Sequence, residues 1–371
     1  MFHTLYLETT RRCNFRCEYC SSGSNQPNKW ENDKSADDII RYILEPAKDV
    51  GTTFIDFSGG EFFLRKDALL LLETAHRMGF KIGISTNGSL LTEELVIQLK
   101  HLLDNNLLIS LGINSFDEEN KATRYREIEL FLEKLDLLQK YNINVNISVT
   151  MGRFNCETFN NTIAKIRSMS LPFNRIPFTP RNSPHKELMF DKEILKNYLY
   201  PALMKSHHGF VSFVPFFLNP NDYEALTGEK AFQHPVPAHP SIGCWVGSFY
   251  AVNPAGDVAP CPLLSDNMSA GNVYTRPLKE ILYESDLMKK IVHRPSLGGK
   301  CGKCKYNWTC GGCRVMAYYH TGDVFGEDPT CFIDEISPEE LEKFEKQTRK
   351  HFRNYVRMDE LSRSIIRQKA E

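Results

Sequence analysis

Eleven cysteines stand in this 371-residue chain, and their spacing constrains it more than any other feature. Cys13, Cys17 and Cys20 form one group; Cys244, Cys261, Cys301, Cys304, Cys310, Cys313 and Cys331 form a second; Cys156 stands alone between them. The opening MFHTLYLETTRRC lacks the apolar core of a secretion signal, so the thiols are expected to stay reduced. Clustered reduced cysteines point to metal rather than disulfides, and an odd count does not favour pairing. Lys and Arg number 45 against 46 Asp and Glu, a balance too even for a nucleic-acid footprint. No window approaches the ~18–20 unbroken apolar residues of a membrane span. A soluble, cytoplasmic protein with no membrane and no nucleic-acid partner is expected. Hydrophobic residues at 42% supply enough core for two domains.

Up to residue 180, short β-rich runs alternate with helical stretches. The runs are LYLETT (5–10), FIDFS (54–58), KIGIST (81–86), LLISLG (107–112), INVNISVT (143–150) and NRIPFTP (174–180). Between them, segments such as DALLLLETAHRMG (67–79) and REIELFLEKLDLLQKY (126–141) repeat apolar residues at i, i+3, i+4 and i+7. Ser35 and Thr92 stand where helix N-caps belong. Six strand–helix units predict a parallel sheet curled by right-handed crossovers. Six are fewer than the eight of a closed barrel, so an α/β fold with a partial, open (β/α)6 barrel over 1–180 is expected. Residues 181–243 read as a connector with a helix near 192–205. Residues 244–335 read as a small Cys-rich α+β domain, with a hairpin turn at NPAGD (253–257) and a core that needs metal. Residues 336–371 read as a charged amphipathic helix that docks on the body.

CNFRCEYC follows the first strand directly, where the active sites of parallel barrels gather. The spacing lets one loop present three thiolates. A [4Fe–4S] cluster normally takes four, so three leave one iron open to a small molecule. A three-ligand zinc site is the alternative, though no partner His stands at suitable spacing.

CxxxCxxC after the first strand of a six-unit partial barrel resembles the radical S-adenosylmethionine (radical SAM) superfamily. Ser58-Gly59-Gly60-Glu61 resembles the family's GGE motif, where glycine backbone groups approach the methionine amine because no Cβ intrudes. Ser85-Thr86-Asn87-Gly88 closes the third strand and Ser110 lies on the fourth. Taken singly, the glycine pair also reads as a turn and Ser110 as a satisfied strand hydroxyl. Arg124 stands where many relatives place an arginine facing the SAM carboxylate, and Arg126 is an equal candidate. Tyr19 is read as an adenine neighbour, Phe15 as that or a packing residue. The resemblance thus implies that Tyr19, Gly59, Gly60, Glu61, Ser85, Asn87, Ser110 and Arg124 bind SAM beside the cluster of Cys13, Cys17 and Cys20. It also implies reductive cleavage of SAM to a 5′-deoxyadenosyl radical that abstracts hydrogen from an unactivated carbon, in an oxygen-sensitive reaction.

In the second group, Cys301-x2-Cys304 and Cys310-x2-Cys313 lie five residues apart, a pattern that also suits a zinc ribbon. The whole pattern from 244 to 331 resembles the SPASM extension of radical SAM proteins, which carries two auxiliary [4Fe–4S] clusters. The resemblance implies that Cys301, Cys304, Cys310 and Cys331 hold one cluster. It assigns Cys244, Cys261 and Cys313 to the other, whose fourth ligand is a residue from elsewhere, water or substrate. The two-residue gap in Cys310-Gly-Gly-Cys313 resembles the branch containing haem- and haem d1-forming enzymes and several peptide maturases. Three [4Fe–4S] clusters in all, SAM, and a flavodoxin or ferredoxin as electron donor are implied. Cys156 is expected to be a buried core cysteine.

The expected outcome is a net oxidation (dehydrogenation, decarboxylation or cross-linking) of a peptide or small molecule, with tetrapyrrole side-chain oxidation as an alternative. A non-enzymatic zinc or iron–sulfur module is the rival class. Because the first strand begins near Leu5, the N-terminal peptide-binding module of many peptide-modifying relatives is expected to be absent. Asp257 is read either as a base near substrate or as a turn residue. Arg175 and Arg181 are candidates to face a substrate carboxylate. His207, His208, His234 and His239 are read as solvated. Phe213, Phe216 and Phe217 are expected to bury against the barrel.

Overall fold

The computed structural model describes residues 2–26, 33–118, 124, 128–182, 184–205, 213–229 and 242–370, the last thirteen as backbone alone. All six expected strands form: β1 Thr4–Glu8, β2 Phe54–Ser58, β3 Lys81–Thr86, β4 Leu107–Ile113, β5 Asn144–Met151 and β6 Phe173–Pro177. Helices begin where capping residues allow. The Ser35 hydroxyl accepts from Asp38 N at the start of α1 Ala36–Ile39. Ala68–Arg77 forms α2, and the Thr92 hydroxyl caps α3 Glu93–Leu103 by accepting from Leu95 N. Next come α4 Ile128–Lys140 and α5 Phe159–Ser168.

Three further strands, β7 Phe249–Val252, β8 Asp257–Ala259 and β9 Gly271–Asn272, extend the same sheet. Its order is β6-β5-β4-β3-β2-β1-β7-β8-β9, open at both edges. β7 runs parallel to β1, while β8 and β9 return antiparallel. A segment expected in the small Cys-rich domain is therefore barrel sheet. The NPAGD turn works as expected: Gly256 adopts φ +92°, and the Asn253 side chain accepts from Ala255 N and Asp257 N.

Parallel strands are usually apolar on both faces. Here only one face is. Leu5, Leu7, Ile55, Phe57, Ile82, Ile84, Ile109, Leu111, Ile147 and Val149 are at most 1% exposed, and α2, α3 and α4 pack on their strands. The alternate positions form a polar row whose members pair in register: Tyr6 with Asp56, Glu8 with Ser58, Ser85 with Ser110 and Asn146, and Ser148 with Asn174. Hydrogen bonds join them. Tyr6 Oη and Ser58 Oγ lie 2.6 Å apart, and Asn146 Nδ2 donates to Ser110 Oγ at 3.3 Å and to Asn174 Oδ1 at 3.1 Å.

The chain divides into two compact units, Met1–Phe190 with Val246–Lys289, and Asp191–Trp245 with Lys290–Glu371. In the first, Arg181 is not available to a substrate carboxylate. It is buried, donates to Glu8 Oε1 at 3.0 Å and Ser265 Oγ at 2.9 Å, and pairs with Asp266 at 3.0 Å. Arg175 stands in register with Val149, off the polar row. In the second unit, α6 Arg314–Thr321 follows the last CxxC pair and α7 Pro338–Ala370 ends the chain. Phe213, Phe216 and Phe217 are buried there, in an aromatic core with Tyr200 and Phe332. Within the second unit, Phe344 lies 5.0 Å from Tyr200 and Phe352 stacks on Tyr223. No helix among the described residues is long and apolar enough to cross a membrane.

Removing a buried cation strands its partners. Arg181→Met is expected to lower stability by about 3–5 kcal/mol in denaturant unfolding, because Glu8 and Asp266 lose their shared guanidinium.

Candidate metal and cofactor centre

β1 delivers the chain into the first cysteine loop, and β2 holds that loop by its backbone. Gly60 N donates to Thr10 O at 2.7 Å and Glu61 N to Arg12 O at 2.8 Å. A Cβ on Gly59 would meet Thr10 O at 2.3 Å, and one on Gly60 would meet Arg12 O at 2.2 Å. The glycine pair is thus required by the approach of the cysteine loop itself, a reason that the motif alone does not reveal. Gly59, at φ +138°, also adopts a conformation that side-chain-bearing residues avoid.

Glu61, expected among the cofactor contacts, is wholly buried. Its carboxylate accepts from Thr86 Oγ1 at 2.8 Å, Asn87 N at 2.9 Å and Phe63 N at 3.3 Å, tying the glycine turn to the Ser85–Gly88 loop. Burial pushes its carboxyl above the usual range, against those donors. Asn87 closes the third side. Its Nδ2 donates to Cys13 Sγ at 3.8 Å and to Asn14 Oδ1 at 3.0 Å.

Within the loop, Phe15 N donates to Cys13 Sγ at 3.3 Å and Asn25 Nδ2 to Cys17 O at 2.9 Å. Cys20 Sγ lies 3.2 Å from Ser22 Oγ. Burial, aided by the charges of Glu61, Cys20 and Cys17, pushes the Cys13 thiol up to about 12. Burial raises Cys17 as well, and the Arg124 guanidinium opposes it. Arg124 Nη1 donates to Tyr19 Oη at 2.6 Å, and Tyr19 stacks on Phe154. The guanidinium lies over β4, where a Cβ on Gly112 would meet Nη2 at 2.8 Å. The residues expected around a cofactor thus gather at one end of the sheet, with Ser85 and Ser110 on the adjoining polar row. Arg126 and the histidines 207, 208, 234 and 239 lie outside the described residues.

Asp56, on that row, is a residue that sequence reasoning missed. Ser85 Oγ donates to both its oxygens, at 3.2 and 3.1 Å. Burial lifts its carboxyl from an ordinary 3.8 to about 7. The signal was present in the strands TLYLE, FIDFS and NVNISVT, where polar residues alternate in a sheet that should be apolar on both faces.

In the second unit, burial raises the thiols of Cys301, Cys304, Cys310 and Cys331, with smaller contributions from Cys304 at Cys301 and from Cys301 at Cys310 and Cys331. Asp328 N donates to Cys301 Sγ and Phe216 N to Cys310 Sγ, each at 3.3 Å. Cys244 N donates to Cys310 O at 2.9 Å. Cys261 belongs to the first unit, after β8. Asp257 serves the β8–β9 hairpin, accepting from Asn272 Nδ2 at 3.1 Å. Cys156 is not in the core: it is partly exposed on the turn after β5, its thiol donating to Arg153 O. Among the described residues, no three His, Cys, Asp or Glu side chains meet as a single bare ion requires, so the donors are judged by their chemistry. Both groups offer sulfur without histidine, with amide N–H groups directed at sulfur, and this fits iron–sulfur ligation.

The chain matches the Radical SAM superfamily model over residues 7–166 and the SPASM iron–sulfur cluster-binding domain over 244–305. It is 27% identical to the AdoMet-dependent heme synthase of Methanosarcina barkeri (strain Fusaro / DSM 804), covering 87% of this chain and 94% of that protein. It is 24% identical to the Fe-coproporphyrin III synthase of the same organism, covering 87% and 86%. Native anSMEcpe with bound AdoMet shares the fold at TM-score 0.67 and 17% identity, covering 95% of this chain and 99% of that one. Streptococcus suis SuiB bound to its precursor peptide SuiA does so at 0.65 and 16%, covering 88% and 75%.

Two outcomes are expected. Gly60→Ala drives a methyl into Arg12 O, so the reconstituted variant should hold about four fewer irons than its parent by colorimetric assay. For Asp56, whose native carboxyl titrates above its unfolded value, stability falls as pH rises from about 4 to about 7 and stays reduced above that. Asp56→Asn should therefore stabilise the fold at pH 8 by roughly 1–3 kcal/mol and far less at pH 4, read by denaturant unfolding.

Proposed function

We propose, for a chain that belongs to the radical SAM superfamily and carries a SPASM iron–sulfur domain, that it abstracts hydrogen from an unactivated carbon and carries the product to a net oxidation. Cys13, Cys17 and Cys20 are proposed to ligate the catalytic cluster. Gly59, Gly60, Glu61, Ser85, Asn87, Ser110, Tyr19 and Arg124 are proposed to surround SAM. When bound, the cluster and SAM supply a 5′-deoxyadenosyl radical by one-electron reductive cleavage.

The chain's own residues do the rest. The glycine pair holds the loop by its backbone, and Glu61 ties that glycine turn to the Ser85–Gly88 loop, which narrows the conformations open to the cysteine loop. Phe15 and Tyr19 are buried within the loop, and Arg124 sets a cation beside Cys17. The polar row of the sheet is proposed to face substrate, held by hydroxyls, amides and the Asp56 carboxyl. On the family pattern, Cys301, Cys304, Cys310 and Cys331 are proposed to ligate one auxiliary cluster beside a second auxiliary one, making three. A reduced flavodoxin or ferredoxin is the proposed donor, because cleavage needs a single strongly reducing electron.

The observation that carries this reading is a loop of three thiols pinned by backbone on one side and on another by Asn87, whose backbone N–H is held by Glu61. For the substrate, similarity to tetrapyrrole-forming enzymes over 87% of the chain favours oxidation of a tetrapyrrole side chain. A peptide is the alternative, supported by sharing a fold with SuiB.

Anaerobically reconstituted protein with dithionite should release 5′-deoxyadenosine from SAM, and Cys17→Ala should abolish it. Added Fe-coproporphyrin III should raise that release and lose mass. Unchanged release and mass would remove the tetrapyrrole reading while leaving the radical chemistry standing.

A further inference from the structure

Arg294 and Arg314 head the fully buried side chains of the described residues, and both lie in the second unit beside cysteines. A guanidinium does not shed its proton, so each carries its charge into a dry interior and needs acceptors there. Arg294 donates to Cys244 O at 2.9 Å. Arg314 donates through Nη1 to Val324 O at 3.0 Å and to Gly326 O, and through Nε to Gly312 O at 3.3 Å. Those carbonyls leave Nη2 without a hydrogen-bond partner. Among the described residues, Arg314 forms no ion pair. Asp328 is the nearby carboxylate, and it is engaged by Cys313 N at 2.7 Å and by Thr330 N and Oγ1 at 2.9 and 2.7 Å.

The direction of Nη2 is informative. The Cβ that Gly312 lacks would sit 2.6 Å from Arg314 Nη2 and 2.8 Å from Cys301 Sγ. The unpartnered N–H and the sulfur therefore flank one small space, which a side chain at 312 would fill. Gly312 also holds φ +61°, where glycine is at ease.

We infer that Arg314 is the charge-balancing residue of the cluster that Cys301, Cys304, Cys310 and Cys331 would hold, donating from Nη2 to the Cys301 sulfur and raising that cluster's reduction potential. This rests on the proposed ligand assignment. The physical reason is that one-electron reduction adds negative charge in a low-dielectric setting. A fixed cation and an N–H directed at sulfur stabilise the reduced form more than the oxidised one. Such a cluster is biased to accept the electron that a net oxidation releases. Arg314 is a positioning and tuning group here, since it stands beside a ligand sulfur across the space at Gly312 and acts through that ligand.

The test is an EPR-monitored redox titration of the anaerobically reconstituted full chain, compared with Arg314→Gln and Arg314→Lys. The expected result is full iron content, one auxiliary signal shifted to more negative potential in Arg314→Gln, a smaller shift in Arg314→Lys, and unchanged substrate-free 5′-deoxyadenosine release. Parent potentials in either variant at full iron content would overturn the inference. Loss of one cluster's iron from both variants, with secondary structure retained, overturns it too, because the arginine would then be structural. A Cys301→Ala variant with the parent's iron content and signals would instead refute the ligand assignment, a failure distinguishable from the others.

Discussion

Two absent β-carbons hold the first centre together. The backbone of Gly59 and Gly60 reaches the backbone of Thr10 and Arg12 at distances that no side-chain-bearing residue permits. That contact converts the end of β1 from a free loop into a shelf fastened to β2. The Glu61 carboxylate then fastens β2 to the loop after β3. Parallel register makes this possible, because strand ends that point one way bring their loops to one rim. A loop so constrained has little conformational entropy left to lose, so a group bound by its thiols would not spend binding energy on ordering them.

The sheet itself is divided in purpose. One face is a continuous apolar layer under helices, the usual source of stability for parallel strands. The other carries hydroxyls, amides and carboxyls joined in register. A polar row costs stability unless its groups find partners, and most of these do. Asp56 is the exception in charge: Ser85 serves its oxygens, no cation among the described residues pairs with it, and its carboxyl holds a proton further up the pH scale than usual. The second unit solves a different problem. Its aromatic core around Tyr200 is packed, while the cysteine region encloses the buried guanidinium of Arg314, which forms no ion pair among the described residues.

Much of this was legible in the residues. Six strand runs, helix caps at Ser35 and Thr92 and a hairpin at NPAGD all stand where periodicity and turn chemistry place them, because those signals are local. Less legible were the features that depend on chain pairing. β7 to β9 joined the barrel sheet because strand pairing is chosen in space, and four short residues of β7 carry no mark of their neighbour. Arg181 read as a free cation because its partners Glu8 and Asp266 are remote in the chain. Cys156 read as core from its neighbours, yet the turn after β5 carries it outward.

By itself, then, the sequence determined the kind of chemistry: thiol spacing and glycine placement are local demands of a cluster loop, written wherever that loop occurs. Only the tertiary structure decided which charges remain available for use. Arg181 is consumed by carboxylates, Glu61 by hydroxyl and amide donors, while Arg314 keeps one N–H unpaired beside a sulfur. The physical reason is that a charge is neutralised or left unpaired by what folding brings within about 4 Å of it, and residues far apart in sequence supply most of those neighbours.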